Sequence, residues 1–336
     1  MTTISTYTLS CGDIEMMVTN FGARVMTLLA PDRNGKKADV VMGYNTPQEY
    51  YTDNEERFFG AVCGRFANRI AKGCFEIDGA EYHLPINNNG QSLHGGLKGI
   101  DSVVWDVVEQ SANAILFRYI SPDGEEGYPG ELTIDMSYEL TSDNEFVIKY
   151  RATTTESTVV NLTHHSYFNL AGEGEGDILD HTMQIDGDKF VPIDEVSIPL
   201  GDLRSVEGTP FDFRTPKVIG RDISLDDEQL KMGSGFDHSW VINGSGLRFA
   251  VAVVDPKSGR RMEVYTDQVG MQFYSGNFIS GRISSKGGDK SYLHRGALAL
   301  ETQLLPDSPN QPQFPTSRLD PGEEYKHTCI YKFTVE

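Results

Sequence analysis

The chain is poor in cations, in cysteine and in long apolar runs, and each shortage excludes a class of function. Its 29 Lys and Arg stand against 49 Asp and Glu, a formal net charge of −20 at pH 7 over 336 residues. A field of that sign repels phosphate backbones and anionic lipid surfaces, so neither nucleic acid nor a membrane is an expected partner. No run of 18 or more apolar residues occurs, and Met1 to Ser10 has neither a basic stretch nor an apolar one of the kind that directs export. The chain therefore reads as soluble, unexported and cytoplasmic. Cys11, Cys63, Cys74 and Cys329 are scattered and form no CxxC pair. They are too sparse for the disulfide framework of a small secreted domain and read as reduced, ordinary side chains.

Nucleotide and common hydrolase motifs are missing as well. There is no GxxxxGK[ST], no GxGxxG leading from a strand into a helix, no GxSxG and no HExxH. Gly172-Glu173-Gly174-Glu175-Gly176 has the glycines, but its two carboxylates repel phosphate. Helical periodicity is nearly absent: only Pro47 to Phe58 and Asp222 to Met232 look helical, and both are short and heavily charged.

What is present has period two. Leu132, Ile134, Met136, Tyr138 and Leu140 alternate with Thr133, Asp135, Ser137 and Glu139, the pattern of a half-buried strand. After Thr141 to Asn144 it resumes at Phe146, Ile148, Tyr150 and Ala152, which makes the two runs a hairpin. A second hairpin is expected at Phe75 to Leu84 around Asp78-Gly79, a pair that tolerates positive φ. Further strands are expected at Arg24 to Ala30, Val40 to Gly43, Val103 to Val108 and Ala114 to Ile120, and at Phe249 to Val254 paired with Arg261 to Thr266. With 34 Gly and 15 Pro, no repeat and no Ser/Gly linker, the chain reads as one large, turn-rich, all-β domain over residues 1–336. Gly172 to Gly176 and Leu305 to Pro315 are candidate rims of a binding site.

His164 and His165 are adjacent at the end of an apolar run, and neighbours in a strand point to opposite faces. They are poorly placed to share a metal, which leaves one for a site and one for structure. Four segments are rich in planar donors and acceptors suited to a ligand with many hydroxyls: Asn68-Arg69, Asn87 to Asn89 leading to His94, Asp237-His238, and Glu301-Thr302-Gln303. Phe66, Phe168, Trp240 and Phe273 are candidates for the aromatic faces that back a sugar. Taken singly, each polar residue also reads as a turn, a surface ion pair or a solvated strand position.

At these same residues the sequence resembles the aldose 1-epimerase family, the galactose mutarotases. Five blocks carry the likeness: Gly64 to Ile70 (GRFANRI), Ser92 to Gly96 (SLHGG), Asn161 to Leu170 (NLTHHSYFNL), Gly235 to His238 (GFDH), and Leu300 to Gln303 (LETQ) with Pro306 to Asn310 (PDSPN). The resemblance implies a large antiparallel β-sandwich, the galactose mutarotase-like supersandwich, with an open sugar site. It implies a cofactor-free and metal-free isomerase that interconverts the anomers of a free aldose, working as a monomer or homodimer. Glu301 matches the family's general base at O1 and His165 its general acid at O5, while Asn68, Arg69, His94, Asp237 and Gln272 resemble residues that hold sugar hydroxyls. His164, Gln91 and Leu304 depart from common family residues, which bears on the sugar preferred. Because a His near pKa 6.5 is mostly neutral at pH 7, carboxylates such as Glu301 and Asp237 are expected to raise His165 toward the working pH. The alternatives are a hexose-6-phosphate mutarotase, which needs an Arg or Lys cluster, and a non-catalytic sugar-binding or sensor protein on the same fold.

Overall fold

The computed structural model describes residues 3–52 and 55–336. Alternation along the strands organises it. In Leu132–Leu140 the five apolar side chains are buried and the four polar ones half-exposed. This strand pairs in register with Glu145–Thr154, Leu140 facing Phe146 and Leu132 facing Thr154. Nine strands form the larger antiparallel sheet, in the order Asp106–Gln110, Ala114–Ser121, Leu132–Leu140, Glu145–Thr154, Tyr325–Val335, Arg260–Thr266, Arg248–Val254, Thr182–Ile185 and Lys217–Val218. Six form the second, in the order Tyr167–Phe168, Leu298–Gln303, Gly270–Tyr274, Asp237–Val241, Lys189–Val191 and Arg204–Ser205.

The inner faces of the two sheets share one apolar core, in which Met136, Phe146 and Tyr331 of the first join Phe168, Leu300, Phe273 and Trp240 of the second. Tyr331 reaches across to donate a hydrogen bond to the Leu300 carbonyl (2.8 Å). The sheets are thus packed as a sandwich. Among the described residues no helix is long and apolar enough to cross a membrane.

Several expected elements differ. The Phe75 hairpin forms as Cys74–Ile77 and Ala80–His83, with Asp78 at φ 53° and Gly79 at φ 81°, as a two-residue turn demands. Val40 to Gly43 is not a strand; only Val41 makes an isolated bridge, to Phe168, while the strand lies at Lys37–Asp39. Val104 likewise makes only a bridge to Phe21, and that strand starts at Asp106. The helix expected over Pro47 to Phe58 is reduced to Glu49–Thr52, residues 53 and 54 lying outside the described part. Of Asp222 to Met232 only Glu228–Met232 is α-helical, started by Asp227, whose side chain accepts from the Gln229 and Leu230 amides.

Three core histidines are held neutral. His164 Nδ1–H donates to the Tyr138 hydroxyl (3.2 Å), which itself donates to Ala23 O, and His164 Nε2 accepts from Ser166 Oγ (2.6 Å). His327 Nδ1–H donates to Leu162 O (3.1 Å) while Nε2 accepts from Thr302 Oγ1 (2.9 Å). Burial brings His164, His238 and His327 each down to about 3. Between that value and the unfolded value near 6.5 the unfolded chain binds more protons, so stability is full above about pH 6.5 and is lost as the pH falls toward 3. At pH 5 each histidine should remove on the order of 1–2 kcal/mol. Denaturant unfolding should show a clearly lower midpoint at pH 5 than at pH 7; equal midpoints would contradict the assignment.

Candidate active site

The six-stranded sheet sorts its residues by parity. Tyr167 faces Ala299, Gln272 faces both Glu301 and Ser239, and Asp237 faces Tyr274. With side chains alternating, Tyr167, Glu301, Gln272, Tyr274 and Asp237 share the face turned away from the core. Their chain neighbours Phe168, Leu300, Phe273 and His238, with Trp240, fill the other face and are fully buried. Of the predicted aromatic plates, Phe168, Trp240 and Phe273 are therefore core residues, and Phe66 is fully buried in a separate apolar cluster with Ile70, Phe75 and Tyr128. The rings at the cavity are Phe58, Tyr167, Tyr274 and Phe278.

A second wall comes from irregular segments. His165 ends the short strand Thr163–His165, which pairs with Ala61–Cys63 and turns His164 into the core. Asn68 and His94 both have positive φ, 66° and 49°, and close on each other. The Asn68 amide donates to His94 Nδ1, and the His94 amide donates to Asn68 O, each at 3.2 Å. A neutral imidazole has one lone pair, here occupied by that amide, so His94 Nε2 carries the hydrogen and is a donor. Arg69 donates from Nε to Asn88 Oδ1 (3.1 Å).

Together these walls enclose a cavity of about 460 Å³ whose lining includes Asn68, Arg69, His94, His165, Asp237 and Glu301. Gln272 braces it, donating from Nε2 to Asp237 Oδ1 (2.8 Å). All seven residues selected from the sequence thus converge. The rim is formed by Asn88, Asn89, Glu195, Ser197, Met232, Ser234 and Phe278. Of the two loops expected there, the Leu305 to Pro315 segment buttresses from behind instead: Asp307 donates its amide to Arg69 O (2.9 Å) and accepts from the Ala71 amide (2.9 Å). Gly172 to Gly176 packs elsewhere, Lys290 pairing with Glu175.

Near the centre, His165 Nε2 lies 3.4 Å from Glu301 Oε1, with both side chains almost wholly buried. Burial pulls His165 down to about 4 rather than letting the carboxylates lift it, which overturns the expectation from charge alone. Glu301 is pushed well above its ordinary value by burial, with the Asp237 charge adding and Arg69 opposing. His94 is pushed down by burial, then by His165. Glu301 Oε2 and Gln272 Oε1 are buried acceptors with no hydrogen-bond partner, which suits incoming hydroxyl donors. Ligand atoms of His94, His165 and Glu301 lie within 4.8 Å of one another, but His94 presents an N–H there and not a lone pair. A second such group, Cys74, Glu81 and His83, sits on the separate hairpin.

The profile described as aldose 1-epimerase matches residues 5–332. The chain is 46% identical to the galactose mutarotase of Bos taurus, covering 99% of this chain and 95% of that one. It is 39% identical to the aldose 1-epimerase of Escherichia coli, over 96% and 93%. The chain belongs to the aldose 1-epimerase family. Its fold is that of an aldose epimerase homologue from C. elegans, with a TM-score of 0.89 at 29% identity and 99% coverage of both chains.

One residue that the sequence placed in a family block but gave no role ties this aldose 1-epimerase site together. Asn161 Nδ2 donates to Ala67 O (3.0 Å), beside Asn68, and its Oδ1 accepts from the Leu304 amide (2.9 Å) at the end of the Glu301 strand. Thr163 Oγ1 adds a bond to Thr302 O (2.9 Å), linking the His165 and Glu301 strands directly. A fully buried Asn inside an apolar run was the available signal. Replacing it leaves two buried backbone groups unpaired, at about 1–3 kcal/mol each. Asn161→Ala should therefore lower the unfolding free energy by about 2–6 kcal/mol. A change below 1 kcal/mol in denaturant titrations would show that Asn161 is not the brace.

Proposed function

We propose that this isomerase interconverts the α and β anomers of free aldohexoses such as galactose and glucose, with Glu301 as general base and His165 as general acid. The carrying observation is the 3.4 Å contact between His165 Nε2 and Glu301 Oε1 inside a cavity lined with hydroxyl partners. O1 and O5 of a pyranose are both bonded to C1, so an acid and a base that serve them must converge on adjacent atoms. Whole-length identity to galactose mutarotases supports the same reading.

Glu301 takes the O1 proton, the O1 electrons form the C1 carbonyl, the C1–O5 bond breaks, and His165 protonates O5. Rotation about C1–C2 turns the other carbonyl face to O5, and closure with the roles reversed gives the other anomer. The pair starts as imidazolium and carboxylate and ends as imidazole and carboxylic acid, with no change in net charge. Low-dielectric burial favours the second state and so the open chain; Arg69, which opposes the upward shift of Glu301, favours the first. Asn68, Arg69, His94, Asp237 and Gln272 hold the sugar hydroxyls, His94 as a neutral donor. The whole chain acts as one unit, as a monomer or homodimer.

Phosphorylated hexoses fit less well. Among the described lining residues Arg69 is the only Lys or Arg, against Glu56, Glu195, Asp237 and Glu301. Polarimetry of freshly dissolved α-D-galactose and α-D-glucose should show faster equilibration with the protein. Glu301→Gln and His165→Asn should each lose about 10²-fold or more in kcat while keeping the fold by circular dichroism. Near-native turnover in either variant, or faster turnover of galactose 6-phosphate than of galactose, would refute the reading.

A further inference from the structure

The acid of this mechanism must be protonated, yet its side chain is almost wholly buried, and the two demands conflict unless something on the protein favours the charged ring. Several groups face His165. Glu301 approaches its Nε2. His94 stands edge-on at 5.3 Å between ring centroids, with an interplanar angle of 78°. Arg24 and Asp101 act on it with opposite signs and are themselves paired at 3.4 Å. Phe58 and Tyr167 both lie near-parallel to it, at 5.8 Å and 4.9 Å and each at 27°.

The two flanking rings are not equivalent. Phe58 already carries the Arg57 guanidinium over its ring at 5.1 Å, so its electron-rich face is shared with a fixed cation. Among the described residues Tyr167 has no such competitor, and its surroundings aim it. Phe59 and Tyr274 meet it edge to face, at 4.9 Å and 88° and at 5.9 Å and 85°. The Glu56 carboxyl holds its hydroxyl, and Glu56 is held in turn by the Phe58 amide on Oε1 (3.2 Å). A phenol whose O–H donates to a carboxyl has a more electron-rich ring, which strengthens its attraction for a cation over the face.

We propose that Tyr167 is a positioning residue of the reaction: its face holds the His165 ring against Glu301 and stabilises the imidazolium, with Glu56 fixing and polarising it from behind. The inference rests on His165 being the general acid. When an acid's pKa lies below the working pH, raising it increases the protonated fraction tenfold per unit, while the acid strength lost is less than tenfold. An electron-rich face beside His165 therefore accelerates proton delivery to O5 and leaves sugar binding alone. Tyr167 sits two residues beyond His165 in the chain, so both come from one short segment and are set together.

A graded substitution separates this role from simple packing. Tyr167→Phe removes the hydroxyl and keeps the ring; 4-fluoro-, 3,5-difluoro- and 3,4,5-trifluorophenylalanine at position 167 then withdraw electron density at nearly constant shape. The proposal expects log kcat to fall in step with fluorination, by about 3- to 10-fold across the series, with KM unchanged. It also expects Glu56→Gln to lower kcat without raising KM. A flat series, or one drop shared equally by all ring variants, would overturn it. If His165→Asn is inactive while the series is flat, only this inference falls; if His165→Asn turns over normally, the reading of the acid falls and takes this one with it.

Discussion

Two ionisable groups, almost wholly buried and 3.4 Å apart, cannot both carry charge freely, and the rest of the site follows from that constraint. Burial alone drives His165 down and Glu301 up, toward the neutral pair. The mechanism needs the opposite tautomer at its start and the neutral one at its midpoint. A site that balances the two lets the imidazolium give its proton to O5 while the carboxylate takes that of O1, with no change in net charge. Arg69 weighs on the side of the carboxylate, and the aromatic face of Tyr167 weighs on the side of the imidazolium.

That balance depends on the sheets. A buried strand such as Leu298–Gln303 has a core face and a second face, and a one-residue slip would exchange Glu301 for Leu300. Pairing with Gly270–Tyr274 and the packing of Leu300 against the larger sheet lock the register. The opposite wall has no long strand to set it, so it is tied by side chains: Asn161 and Thr163 bond to the backbone of the turn of Asn68 and the strand of Glu301, and the Asp307 carboxylate accepts from the Ala71 amide beyond Arg69. Here positive φ at Asn68 and His94 is tolerated because those ties over-determine it.

Much of this was legible in the sequence, for reasons that differ by residue. Leu132 to Leu140 announces itself because one face is buried and the other wet. The strand of Glu301 does not, because every residue in it is buried and alternation disappears. Its place was found through the LETQ block and not through periodicity. The aromatic plates were misassigned for the same reason: without the register, Phe168 and Tyr167 are equally plausible, and the hydrogen bond of Tyr167 to Glu56 joins segments more than a hundred residues apart. Val40 to Gly43 has the composition of a strand, but only Val41 finds a bridging partner. The direction of the His165 shift was misjudged because net charge is written in the composition and burial is not.

The central claim is that Glu301 and His165 act as one acid–base unit, Glu301 taking the proton of O1 while His165 delivers its own to O5. Exchange NMR of galactose at anomeric equilibrium measures the rate with no chemical perturbation of the sample. Applied to Glu301→Gln, His165→Asn and the double variant, it should find the double variant no slower than the slower single one, since removing either group disables the unit. Losses that multiply across the two substitutions would mean that the groups act independently and would contradict the account.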